Sequence, residues 1–151
     1  MKVLVQRVSG ATVKADNRVT GQINNGLLLL IGIAENDTEQ DLSWVAEKCI
    51  NLRIFEDDDD KMNRSLLDVK GEILAISQFT LLADTRKGRR PSYINAANPE
   101  KGKAFYLKFV EILKSYPVKV ETGIFGAMMD VELINRGPVT IMIESKENTN
   151  Q

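Results

Sequence analysis

The chain has 151 residues, 43% of them hydrophobic and 27% charged, and a formal net charge of -1. That length fits one compact domain with a sizeable core, and the near balance of charge confines any nucleic-acid binding to a local basic patch. A single cysteine, Cys49, excludes an internal disulfide and a cysteine-rich zinc site, while the lack of histidine excludes His-based triads, HExxH sites and Cys/His metal clusters.

In chain order, Val3 and Val5 with their neighbours, then Ala11 to Ala15, alternate as strands. Asn25-Gly26 is a hairpin signal, because both residues tolerate positive φ. It leads into LLLLIGIA, an apolar run that reads as a strand buried on both faces. Thr38 caps a helix with Asp41 completing a capping box, and Leu42, Val45, Ala46 and Cys49 then share one face. The acidic run EDDDD, 56 to 60, puts Lys61 and Met62 where an EF-hand loop begun at Asp57 needs an oxygen ligand and a glycine. It reads as a solvated turn.

Gly71 to Gln78 reads as a further strand. Asn98-Pro99 supplies a cap and a first-turn proline for a second helix, lined by Phe105, Phe109, Ile112, Leu113 and Tyr116 and ended by Pro117. VKVET, MDVELI and VTIMIES follow as strands. With seven or eight strands, two helices and mostly hairpin-like connections, the expected class is α+β: an antiparallel β-rich, barrel-like curled sheet with two main helices. Residues 1–145 are expected to form one domain and 146–151 a polar tail. No run approaches the roughly 18 apolar residues of a membrane span, and MKVLVQRVSG lacks a signal-peptide pattern, so a cytoplasmic protein is expected.

Three stretches carry candidate chemistry. Ser77, Gln78, Phe79 and Thr80 stand at an expected strand end, where hydroxyls ordinarily bond the local backbone. A serine or threonine nucleophile needs an adjacent base, and no spacing identifies one; backbone amides at such an end could instead form an oxyanion hole. Arg86, Lys87, Arg89 and Arg90 crowd four cations around Gly88, suiting either a solvated loop or contact with phosphates. NRGPVT, 135 to 140, lies between two strands, with carbonyls that a proline-containing ladder leaves free.

SQFTL and GPVT match the two signatures of the D-aminoacyl-tRNA deacylase family, and the chain resembles that family throughout. LVQRV, KMNRSLLD, GEILAISQFTLLADTRKGRRPS and VETGIFGAMMDVELINRGPVT follow in the family's order. The resemblance implies hydrolysis of the ester joining a D-amino acid to the tRNA 3′ end, and of glycine mischarged onto tRNA for alanine; no cofactor and no metal ligand is expected, and metal dependence is left open. It implies a homodimer with active sites at the subunit interface. Gly137 and Pro138 would form a cis dipeptide inserted into the neighbour's pocket, holding the substrate ammonium group and excluding L side chains. Ser77 to Thr80 would present backbone groups while the terminal 2′-hydroxyl assists water; an alternative makes Thr80 a nucleophile. Arg7 would brace the Gly-Pro element, and Phe125 and Met129 would line an adenosine pocket. Arg136, Arg89 and Leu82 depart from residues common in the family, leaving tRNA preference open. A non-catalytic RNA-binding β domain using the basic loop, or a ligand-free dimerisation domain, are the rival readings.

Overall fold

The computed structural model describes residues 1–145, so the expected tail, 146–151, lies outside the described residues. Its spine is β1 (Lys2–Ala15), paired along one side with β2 (Arg18–Ile23) and β3 (Gly26–Gly32) and along the other with β8 (Met129–Glu144), all antiparallel. Beyond β3 come β6 (Glu72–Ser77) and β7 (Val120–Thr122). A separate two-stranded ribbon, β4 (Phe55–Glu56) and β5 (Met62–Arg64), carries the acidic run at its turn, where Asp57 Oδ1 accepts the N–H groups of Asp59 and Lys61 at 2.8 and 3.0 Å.

The tight turn is not at Asn25-Gly26. Asp16 and Asn17, with φ of 50° and 61°, join β1 to β2. β2 and β3 then follow the same side of β1, Ala11 facing Ile23 and Val8 facing Gly26, so Asn24 and Asn25 merely interrupt one long run. Gly26 is needed there for a different reason: a Cβ would lie 1.9 Å from the Glu72 carbonyl oxygen, where β6 begins alongside.

β6 runs parallel to β3, and β7 parallel to β6, so the sheet is mixed rather than antiparallel throughout. Parallel neighbours need crossover connections, and α1 (Glu39–Asn51) and α2 (Pro99–Lys114) supply them. Asp41 accepts the Thr38 N–H at 2.7 Å, and Asn98 accepts that of Lys101 at 2.9 Å, so both expected caps form. The helices pack on one face of the sheet over Val3, Val5, Leu27, Leu29 and Ile31. Val8, Ala11, Val13, Leu28, Leu74 and Ile76 make a second core on the other face, so β3 is buried on both sides as its run of leucines requires. The sheet curls until Gly21 of β2 meets β7; a Cβ there would stand 2.7 Å from the Thr122 carbonyl oxygen. The result is a nearly closed, barrel-like α+β fold.

Candidate active site

Sheet pairing ends at Ser77, and the Gln78 N–H makes the last bond to β3, at 2.7 Å to the Ile31 carbonyl. The chain then tightens into a 3₁₀ turn, Phe79–Leu82, so Thr80 sits on a turn rather than on the expected strand end. Leu81 and Ala83 donate back to the carbonyls of Gln78 and Thr80. As first residues of that turn, Phe79 and Thr80 keep N–H groups that make no hydrogen bond among the described residues. The Gln78 side-chain amide donates to the Thr80 hydroxyl. No base stands in that contact.

This turn forms one wall of a cavity of about 780 Å³. Ile31, Ile76 and Val131 give it an apolar lining, Asn98, Pro99 and Gly102 bring the start of α2 to its edge, and Phe125 and Met129 close the far side. Tyr106 supports the wall from beneath: its hydroxyl donates to the Ala75 carbonyl at 2.8 Å, and its ring lies 5.9 Å from that of Phe125. Burial pushes the Tyr106 phenol up to about 12, keeping it a neutral donor. Phe79 meets Tyr93 edge to face at 5.1 Å on the cavity rim.

Gly137 and Pro138 do not line this cavity. They belong to a bulge in β8, which is one continuous strand rather than the two expected. Gln6 faces Thr140 and Val8 faces Asn135, so Arg7 alone lies opposite the stretch 136–139. Buried Arg7 fills the space beneath it, donating from Nε to the Arg136 carbonyl at 2.9 Å and from Nη1 to the Ile54 carbonyl at 2.8 Å. Its Nη2 lies 3.5 Å from Glu56. The Gly137–Pro138 peptide is cis, Gly137 has φ of 132°, and both residues are exposed.

The basic stretch forms a separate exposed loop, closed at its base by reciprocal backbone bonds between Asp84 and Ser92 at 2.8 and 2.9 Å. Arg86 is bound to Asp84 through Nε and Nη2, at 2.9 and 2.6 Å. Those hydrogen bonds hold the Asp84 carboxyl down at about 2. Lys87, Arg89 and Arg90 take part in no ion pair among the described residues.

A family profile described as D-Tyr-tRNA(Tyr) deacylase matches residues 4–144. The chain belongs to this family. Membership makes it a deacylase, an ester hydrolase. A relative in Bacillus cytotoxicus named D-aminoacyl-tRNA deacylase is 56% identical over 146 residues, covering 97% of this chain and 100% of its own length. One of the same name in Thermosipho africanus is 52% identical over 147 residues, covering 97% and 99%. A solved structure described as c-Myc DNA Unwinding Element Binding Protein superposes with a TM-score of 0.91 at 40% identity, covering 97% of this chain and 99% of that one. A structure of a probable eukaryotic D-amino acid tRNA deacylase gives 0.81 at 17% identity, covering 94% and 97%, and at that identity speaks to the fold alone.

Within the deacylase fold, then, Ser77, Gln78, Phe79, Thr80, Phe125 and Met129 share one cavity, whereas Arg7, Gly137 and Pro138 gather at the β8 bulge. Sequence reasoning missed Tyr93 and Tyr106. Tyr106 carries a readable signal, an aromatic three residues before Phe109 on the apolar face of α2. It also missed Asn135, whose side chain accepts the Val139 N–H at 2.9 Å.

Proposed function

We propose that the chain hydrolyses the ester between a D-amino acid and the terminal adenosine of tRNA, in the cytoplasm, and clears glycine mischarged onto tRNA for alanine by the same route. The observation that carries this reading is the pair of unused N–H groups on Phe79 and Thr80, two residues that line a cavity with no titrating base beside its hydroxyls. Water attacks the ester carbonyl, and the two amides receive the oxyanion that forms. The ester's C–O bond to the ribose then breaks, freeing the amino acid and leaving the ribose hydroxyl on the tRNA. The neighbouring 2′-hydroxyl orients the attacking water and shares its proton, which is the work a histidine would otherwise do. Phe125 and Met129 pack against the adenosine, and the cations of 86–90 attract the phosphates of the 3′ end.

Chirality is assigned to Gly137 and Pro138 of a partner copy. Both residues, with their carbonyls, lie in the stretch of β8 that has no register partner in β1, and both are exposed and outside the lining of the chain's own cavity. Placed in a neighbour's cavity, two such acceptors hold the substrate ammonium group, and the backbone fills the space an L side chain would need. Glycine has no side chain to exclude. Exposed apolar residues around the cavity support a partner: Ile94 is 81% and Met128 88% exposed.

The deciding assay gives the purified protein D-tyrosyl-tRNA, L-tyrosyl-tRNA and D-tyrosyl-tRNA ending in 2′-deoxyadenosine. Cleavage of the first alone is expected. Equal cleavage of the L ester removes the chiral reading, and full activity on the deoxy ester removes 2′-hydroxyl assistance.

A further inference from the structure

The base of the bulge is closed by two side chains at the residues where β1–β8 pairing stops and resumes. Asn135 Oδ1 accepts the Val139 N–H at 2.9 Å, and Asn135 Nδ2 donates to Thr140 Oγ1 at 2.8 Å. Gln6 Nε2 donates to the same hydroxyl at 3.3 Å. Within the stretch 136–139, this leaves a short backbone account. The Arg136 carbonyl is taken by Arg7 and the Val139 N–H by Asn135, while Gly137 and Pro138 have no register partner in β1. Arg7 therefore holds one end of the bulge from within the fold, and Asn135 holds the other from its surface.

A stretch without ladder bonds, with glycine in it, has several ways to point its carbonyls unless both ends are pinned. Removing the Asn135 amide frees the Val139 N–H to turn outward, and the peptide groups before it turn with it. We propose that Asn135, with Thr140 as its second anchor, is a positioning residue for substrate chirality: it fixes the direction of the Gly137 and Pro138 carbonyls. This rests on the deacylase reading above. Asn135 itself touches no substrate. It is half-buried and Thr140 is exposed, so the pair adds little packing to the core, and its effect falls on presentation rather than folding.

Steady-state kcat and KM are measured for D- and L-tyrosyl-tRNA on the wild-type protein and on Asn135→Ala, Asn135→Asp and Thr140→Val, with Tm recorded for each. Wild-type preference for the D ester tests the deacylase reading separately; if it is absent, that reading fails before the variants are compared. With it present, Asn135→Ala is expected to lower the D/L ratio of kcat/KM by about tenfold or more at nearly unchanged Tm. Asn135→Asp keeps an acceptor for Val139 and a second oxygen for the Thr140 hydroxyl, and is expected to stay within about threefold of wild type. Thr140→Val should fall between them. A folded Asn135→Ala with a wild-type ratio overturns the proposal, as do equal losses in the Ala and Asp variants. If Asn135→Ala does not fold, Thr140→Val decides: an unchanged ratio there overturns it too.

Discussion

Thr80 tests the chemistry at the scale of one side chain. Its hydroxyl accepts from Gln78, a neutral amide that takes no proton, so activation as a nucleophile has no source in the cavity wall. Thr80→Ser should keep near-normal kcat, and Thr80→Ala should retain measurable turnover, because the backbone N–H survives both changes. A single-turnover assay that finds Thr80→Ala dead would restore the covalent route. Gly137 makes the opposite case, where the proposed role rests on the backbone itself. At φ 132° a side chain is strained, and a Cβ would lie 2.8 Å from Arg7 Nη2. That guanidinium cannot swing away without giving up Ile54 and Arg136. Gly137→Val should therefore cost about 1–3 kcal/mol of local strain and reduce D-ester cleavage about tenfold or more, with no gain on the L ester. Gain of L cleavage would mean that the bulge does not work by exclusion.

Loops and strands show where the sequence was legible and where it was not. Both helices could be placed from caps and periodicity, since those signals act within one turn of chain. The hairpin at Asn25-Gly26 could not be judged locally, because Gly26 is demanded by distant Glu72, while the real turn at Asp16-Asn17 lacks glycine. Parallel pairing of β3, β6 and β7 was hidden for the same reason: pairing partners are set by where the crossovers land. The signature residues could be named, and the family resemblance implied that Gly137 and Pro138 serve a neighbour's pocket, but no local pattern placed Thr80 and Pro138 apart within one chain. The basic loop also divides in a way composition did not reveal. Arg86 is already engaged by Asp84, so neutralising Arg89 and Arg90 together should flatten the salt dependence of tRNA binding more than Arg86→Ala does. Filter binding across a salt series measures both slopes, and equal slopes would make the loop a solvated turn. The Asp84 carboxyl is depressed from 3.8 to about 2 by the Arg86 side chain and then its backbone N–H. A depressed carboxyl stabilises above its ordinary value and loses that contribution as pH falls through about 2, so this pair should put no step in tRNA binding between pH 5 and 9.

At the scale of the whole molecule, the cavity and the bulge are both complete in one chain, yet Gly137 and Pro138 line no part of that chain's cavity. Among the described residues β8 pairs only with β1, so a long strand edge is left open beside exposed Ile134 and Met142. A two-fold dimer that places each bulge in the other subunit's cavity would use these surfaces reciprocally, giving two sites, each with parts from both chains. The arrangement makes a prediction that no single-chain enzyme shares. Gly137→Val damages the bulge but leaves its own cavity intact. Ala127→Trp fills the cavity from the segment before β8 but leaves the bulge intact. Each variant alone should be close to inactive on D-tyrosyl-tRNA. After the two are unfolded together and refolded, half the dimers pair unlike subunits, and each of these holds one site built from an undamaged bulge and an undamaged cavity. Activity should return to about a quarter of the wild-type value, with light scattering reporting a dimer. No recovery from a mixture shown to exchange subunits would place cavity and bulge in separate jobs, and the shared site would have to be abandoned.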